Sequence, residues 1–456
     1  MPIFVLYGLD GPKGPEIRKT PVRQAHLDWL QTLGARYKAG SAMFADDGAT
    51  PIGSMVIIEA ADLDHAKATF AQDPYQQAGI WDRIDIRQLA NWAPNTNAPS
   101  ATELFSGTKD VVEAHRFDEA RLEAWMKSHV EGYQGPLTVR QFKGGQSNPT
   151  YQLITPTKKY VMRRKPPGKL LPSAHAVDRE FRVISALHPL GFPVAKPYAL
   201  CEDDSVIGTM FYIMDMVEGR ILWDATLPDY EPAMRRKIFE AKLSTFAWLH
   251  NVDWRAAGLE GFGKEGDYIA RQIHRWTKQY KDSETTKIPE MDKLIEWLPK
   301  NVPPGERTSI VHGDYRIDNM VLHPTEPKVI AVLDWELSTL GDPLADFTYH
   351  LMSWEMPSSD PTRPSLAQVE NKKERGIPTR EEYVARYCEL TGRQGLPELD
   401  YYFAYNAFRL AGIIQGIVGR VRDGTASNAA AAQNEGRVAP LAKFAYACAQ
   451  RAGLQG

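Results

Sequence analysis

Three cysteines in 456 residues, Cys201, Cys388 and Cys448, lie too far apart for a zinc-binding spacing or a disulfide framework. Reduced thiols in a cytoplasmic protein are the expectation that follows. Charge of one sign is lacking too. Lysine and arginine number 54 against 57 acidic residues, so a net charge of -3 argues for neither a nucleic-acid nor a membrane surface. Long apolar runs are missing. The longest, residues 410–418, is broken by Gly412, Gln415 and Gly416 and falls short of the roughly 20 residues that span a bilayer. The opening segment MPIFVLYGLDG lacks the basic and apolar regions of a signal peptide and reads as a strand. No repeat recurs at a solenoid period.

What is present is enough chain for two to four domains. The clearest break is APNTNAPSATELFSGT at 93–108, small, polar and proline-bearing with no apolar period. The expected organisation is a small domain over 1–93, a linker over 94–109, a sheet-rich lobe over 110–217 and a helical lobe over 218–456. In the first domain, residues 2–9 alternate as a strand. Val22, His26, Trp29, Leu30, Leu33 and Tyr37 then recur at helical spacing. Short strands near 42–44 and 52–59, a second helix capped by Asp62, and a last strand through Ile80, Ile84 and Ile86 complete β-α-β-β-α-β, the order of a ferredoxin-like α+β domain. After the linker, Asp118 caps an amphipathic helix. Strands near 137–142, 150–154 and 159–163 follow, then a helix over 176–188 and strands near 194–200 and 209–217. The remainder is mainly helical, with short strands near 309–311, 319–322 and 329–333. A sheet-rich lobe followed by a helical lobe is a two-lobed, protein-kinase-like layout.

Chemistry concentrates in SIVHGDYRIDN at 309–319, which contains His312-x-Asp314-x-x-x-x-Asn319. Phosphoryl transfer needs a carboxylate at the acceptor hydroxyl and an oxygen ligand for magnesium a few residues on, and this loop has both. An ordinary polar turn would use the same residue types. The apolar run VIAV then leads to Asp334, fifteen residues after Asn319, where a strand-terminal carboxylate would hold magnesium against the ATP phosphates. The two together single out Asp314 as catalytic residue, and Asn319 and Asp334 as metal ligands.

HGDYRIDN followed by LDWE resembles the aminoglycoside/choline phosphotransferase family. RRKPPG (163–168), GFG (261–263), RQIHRWTKQY (271–280) and FRLAGIIQGIVGR (408–420) resemble one subgroup, the kinase domain fused to some acyl-CoA dehydrogenases that phosphorylates 4-hydroxyacyl-CoAs. The resemblance covers about residues 110–453 and implies ATP, Mg2+ and a small-molecule acceptor. Gly144, Gly145, Ser147 and Asn148 would then form the loop over the phosphates. Arg163 stands where the family more often has lysine, with Arg164 the alternative if the strand register differs by one. Glu180 is the expected partner of that cation, and Met214 and Met216 belong to the adenine-binding segment. Asp342 and Asp346 would buttress the loop. Arg271 and Arg275 would meet an anionic substrate, although a solvated helix face accounts for them as well. Residues 1–92 resemble the YCII-related family on MPIFVLYGLDG, RQAHLDWL, the DDG turn and DPYQQAG. That resemblance implies a homodimer formed through this domain, and a His/Asp pair of His26 with Asp46 or Asp47. A satisfied core histidine is the equal alternative.

Overall fold

The computed structural model describes residues 2–45, 47, 50–90, 101–144, 148–166, 175–304, 307–358, 364–422 and 436–455. The chain divides into two compact units, 1–98 and 99–456. Among the described residues no helix is long and apolar enough to cross a membrane, and the three cysteines are free and buried.

The first unit is a four-stranded antiparallel sheet of β1 (Ile3–Asp10), β2 (Tyr37–Phe44), β3 (Pro51–Glu59) and β4 (Trp81–Leu89), in the order β2-β3-β1-β4. This is the ferredoxin-like arrangement that the element order implies. Alternation along β1 turns Phe4 and Leu6 inward, where both are fully buried with Val56, Ile58, Ala66 and Phe70. Asp62 caps the helix Leu63–Phe70 by accepting from the backbone N–H of His65 (2.7 Å). The first long helix is shorter than its apolar period suggests. It runs Val22–Thr32, the chain bends at Gly34 with φ +53°, and Tyr37 opens β2 instead of closing the helix.

In the second unit, β5 (Thr108–Lys109), β6 (Thr138–Phe142), β7 (Thr150–Ile154), β8 (Lys159–Arg164), β9 (Pro197–Cys201) and β10 (Phe211–Asp215) form one sheet in the order β5-β6-β7-β8-β10-β9. The stretch read as linker therefore includes structure at its end. Residues 101–105 are helical, β5 pairs with β6, and Trp223 Nε1 donates to Ser106 Oγ (2.8 Å). The polar composition of 101–109 hid an edge strand, which needs only backbone pairing. The sheet is covered on both faces. Tyr151, Met162 and Phe211 pack with Leu122 and Met126 of the helix Glu119–His129. Val161 and Tyr212 join Val183, Ile184 and Leu187 of the helix Val177–Leu187 in the large core shared with the helical lobe. Two short hairpin-like pairs carry the chemistry: β11 (Ser309–Val311) with β14 (Thr339–Gly341), and β12 (Met320–Leu322) with β13 (Val329–Val332).

Candidate active site

The loop after β11 is fixed before Asp314 is reached. The backbone N–H groups of His312 and Gly313 donate to the two oxygens of Asp346 (2.6 and 2.9 Å). Burial would raise the Asp346 carboxyl, but His250 and the His312 N–H hold it below the usual range, so the anchor stays ionised. The His312 imidazole donates from Nε2 to the Leu333 carbonyl (2.9 Å), and its Nδ1 accepts the backbone N–H of Asp314 (3.2 Å). Gly313 has φ +84°, and a side chain there would meet the Leu337 backbone oxygen at 3.0 Å, so both conformation and space demand glycine. On the other side of Asp314, the fully buried Tyr315 donates to the Lys242 carbonyl (2.8 Å) and stacks on Phe246. Asp314 thus stands between two residues locked into the core.

The Asp314 carboxylate accepts at Oδ2 from Asn319 Nδ2 (3.1 Å) and faces Arg316 Nε with Oδ1 (3.1 Å). Burial pushes its pKa up, Arg316 and His312 oppose that, and Asp318 and Asp334 add to it. Asn319 also donates to the Asp314 carbonyl (2.9 Å), so one amide group braces both ends of that residue. The backbone N–H of Leu333 donates to the Asn319 carbonyl (2.8 Å), which brings the ends of β12 and β13, and with them Asn319 and Asp334, side by side. Asp334 adopts φ +63°, ψ +62°, a left-handed conformation that Asp and Asn tolerate better than most residues.

Strand alternation decides between the two arginines. Arg163 turns toward the helix Val177–Leu187, where its Nε meets Glu180 Oε2 at 2.9 Å and its Nη2 meets Asp334 Oδ1 at 3.0 Å. Arg164 lies on the opposite face over the rings of Phe117 and Tyr151. Glu180 is 1% exposed and also receives Tyr212 Oη (3.2 Å) and Asn148 Nδ2 (2.9 Å). Burial would lower the Arg163 pKa, but Glu180, Tyr212 and Asp334 outweigh it and hold the guanidinium charged. The pair at one corner of the sheet-rich lobe is therefore tied to a carboxylate of the helical lobe.

The geometry brings Asp314, Asn319, Asp334, Arg163, Glu180 and Asn148 into one connected network. Of the expected phosphate loop, Gly144 and Asn148 are described, whereas Gly145 and Ser147 lie outside the described residues. Met214, next to last in β10, pairs with Val161, and the Met216 N–H donates to the Lys159 carbonyl (3.3 Å). Arg271 does not present a free cation. Its guanidinium holds the carbonyls of Gly266 and Lys264 and closes the loop before its own helix. Arg275 is exposed, with its guanidinium over the ring of Trp276. In the first unit the pairing of His26 with Asp47 is corrected. His26 Nδ1 meets Asp73 Oδ1 at 2.7 Å and the ring stacks on Tyr75 at 4.1 Å, while Asp47 is exposed and accepts from Thr50 N (2.9 Å). Asp46 lies outside the described residues. Asp73 belongs to DPYQQAG, where its N-cap position before Pro74 was the available signal.

Three residues escaped the sequence reading. Arg316 bridges Asp314 and, with Nη2, Asp318 (3.2 Å). Glu336 accepts from Asn148 Nδ2 (3.4 Å). Lys242 is 4% exposed, over the rings of Phe239 and Trp354. Burial lowers its pKa to about 7, with Asp318 the opposing influence. The folded value lies below the ordinary 10.5. Between the two the unfolded chain binds the extra proton, so stability rises as pH climbs from about 7 toward 10.5. Below about 7 the full cost of a buried charge is present. Lys242→Met is expected to stabilise the fold by a few kcal/mol at pH 6, because methionine fills the same space without a charge to desolvate. The gain should narrow by pH 9. Denaturation midpoints of both chains across that range measure it; equal midpoints at pH 6 would reject a buried, strained ammonium.

The donor set suits a hard divalent cation. Asp334 has its side chain 40% exposed, and Asn319 Oδ1 accepts no hydrogen bond from a described residue. No group of three or more His, Cys, Asp or Glu side chains is arranged for a metal among the described residues. Magnesium at a phosphate site needs only one or two protein oxygens with phosphate and water completing the shell, so these two residues fit it.

Residues 138–399 match the phosphotransferase enzyme family and residues 4–90 the YCII-related domain. Acyl-CoA dehydrogenase family member 10 of Mus musculus is 43% identical over 349 residues, 76% of this chain and 33% of the relative. Acyl-CoA dehydrogenase family member 11 of Homo sapiens is 42% identical over 352 residues, 76% of this chain and 45% of the relative. The match thus spans less than half the length of these relatives. A crystal structure from Ralstonia eutropha JMP134, named provisionally as an aminoglycoside phosphotransferase, shares 50% identity with a TM-score of 0.68, covering 74% of this chain and 99% of that one.

Proposed function

Because the chain belongs to the phosphotransferase enzyme family, we propose that its second unit transfers the terminal phosphoryl group of ATP to a hydroxyl group of a small molecule. The observation that carries this reading is the state of Asp314. Its backbone is pinned through His312 and Asp346, and its carboxylate is oriented by Asn319. A base so held can receive the hydroxyl proton as the acceptor oxygen bonds to phosphorus and ADP leaves. Magnesium–ATP, when bound, supplies the phosphoryl group and screens its charge. Asn319 and Asp334 are the oxygen donors for the metal. Arg163, held by Glu180, is the cation for the phosphates, with Gly144, Gly145, Ser147 and Asn148 in the covering loop and Met214 and Met216 beside the adenine. Arg316, between Asp314 and Asp318, stands where it would steady the transferring group.

Among acceptors, a hydroxyacyl-CoA is the reading that the matched relatives favour, since both are named for acyl-CoA chemistry. The name of the bacterial structure points instead to an aminoglycoside. The two differ in charge, one anionic and one polycationic, and a comparison of kcat/KM separates them. A 4-hydroxyacyl-CoA is expected to exceed its free acid and kanamycin by at least about a hundredfold each, a conservative floor, since a site that hydrogen-bonds a substrate's polar groups rejects an analogue lacking them by about 10⁴-fold or more. Kanamycin or the free acid performing as well would overturn the CoA ester as acceptor and leave the kinase assignment in place.

A further inference from the structure

The helix Val177–Leu187 presents more than Glu180. Arg179 and Arg182, three residues apart, share the next flank of the helix. Both guanidinium groups lie over the fully buried ring of Phe262, at 4.4 and 5.9 Å from its centroid. Phe262 is the middle residue of GFG at 261–263. Arg182 Nη2 donates to the Glu260 carbonyl (2.6 Å), and Arg179 Nη2 donates to the Ser338 carbonyl (3.3 Å). Gly263 lets this loop lie flush against β14, since a side chain there would meet the Leu340 backbone nitrogen at 2.6 Å.

These contacts close a ring. Asp334 meets Arg163 at 3.0 Å, and Arg163 meets Glu180 at 2.9 Å. Arg179 is the neighbour of Glu180 on the helix. From Arg179 the path returns through Ser338, whose N–H donates to the Trp335 carbonyl (3.0 Å), to the turn that Asp334 opens. One half of the ring is ionic and runs through the two side chains that would receive the ligand. A phosphate competes with Asp334 for Arg163, and a magnesium ion competes with Arg163 for Asp334. The other half rests on a backbone carbonyl and an apolar ring, which offer no charge for the ligand to take up.

We propose that Arg179, with Arg182 and the Phe262 ring, is a positioning clasp. It holds the helix to the helical lobe and so keeps Arg163 and Asp334 facing each other once magnesium–ATP separates their side chains. This rests on the kinase reading above and adds to it the residues that keep the two charges of the phosphate site in register. The clasp acts through Glu180 and Arg163 and not by touching the nucleotide. Arginine suits the place, because a flat guanidinium covers a ring and still donates in its own plane.

The test is magnesium–ATP affinity, read by calorimetric titration of the full chain, which needs no acceptor. R179M keeps an apolar stem and removes the charge and the donors. Affinity should fall about tenfold, the scale of one hydrogen bond from a charged group. R179K can still donate to the Ser338 carbonyl and lie over the ring, so it should stay within about threefold of the unaltered chain. R182M, at an exposed position, should lose about threefold. In an R163M background, whose own affinity is lower, neither R179M nor R182M should cost more than about a further 1.5-fold, because the clasp acts through Arg163. Unchanged affinity in R179M would overturn the clasp, and if that chain did not fold, unchanged affinity in R182M would do so. A loss in the R163M background as large as in the unaltered one would mark the arginines as struts for the fold at large and also overturn it. Both results leave the kinase reading standing. An unaltered chain that bound no magnesium–ATP would sink that reading and the clasp with it.

Discussion

Replacing Asp314 by asparagine is expected to lower phosphoryl transfer by about 10²- to 10⁴-fold, the range that a positioned general base contributes. Asparagine keeps the shape of the side chain and can still face Asn319 and Arg316, so the loop should persist. What it loses is the capacity to receive the hydroxyl proton. Asp314 is not placed among the nucleotide contacts, so affinity for magnesium–ATP should change little. The pH dependence gives a second signature. Burial raises the Asp314 carboxyl above its ordinary value, and the ionised form is the active one. The rate should therefore climb with pH through an acid limb displaced upward, and that limb should vanish from the residual activity of D314N. Rates and nucleotide titrations measured on the same preparations decide the matter. Near-normal turnover in D314N would remove the residue from this role.

Asp334→Asn should be nearly as damaging, for a different reason. The position needs a residue that tolerates φ +63°, which asparagine does better than alanine, so the backbone cost is kept small. The charge is what disappears. A hard cation then loses its acidic oxygen donor, and Arg163 loses one of its two carboxylate partners while keeping Glu180. Magnesium–ATP affinity should fall about tenfold or more, against a small change for nucleotide without metal, since removing the carboxylate ligand matters only when the cation is present. Calorimetric titrations with and without Mg2+ measure the contrast. Equal losses in both conditions would place the defect in folding or in the Arg163 link, not in metal binding.

Several things about this protein were legible from its residues alone. Apolar runs and periodic patterns located β1, β3, β6–β8 and the helix Val177–Leu187 to within one residue at each end, because the chain's local preference agrees there with the tertiary demand. Asp62 and Asp118 could be recognised as caps from one residue and its neighbours. The loop from His312 to Asn319 could be read because its chemistry is packed into eight consecutive positions.

Other features had no local signature. The choice of Arg163 over Arg164 depends on which face of β8 meets the helix Val177–Leu187, and a strand buried on both faces shows no alternation from which to read it. His26 finds Asp73 across 47 residues because two separate helices pack there, whereas the nearer candidate at Asp47 turns outward to Thr50. Arg271 looked like a substrate cation until the loop at 264–266 folded back onto it. Residue type and spacing determine what a segment can form and which chemistry it can hold. Which charges are neutralised and which are left for a ligand is decided by long-range contact, because Coulomb energy and desolvation depend on distances that the order of residues does not contain.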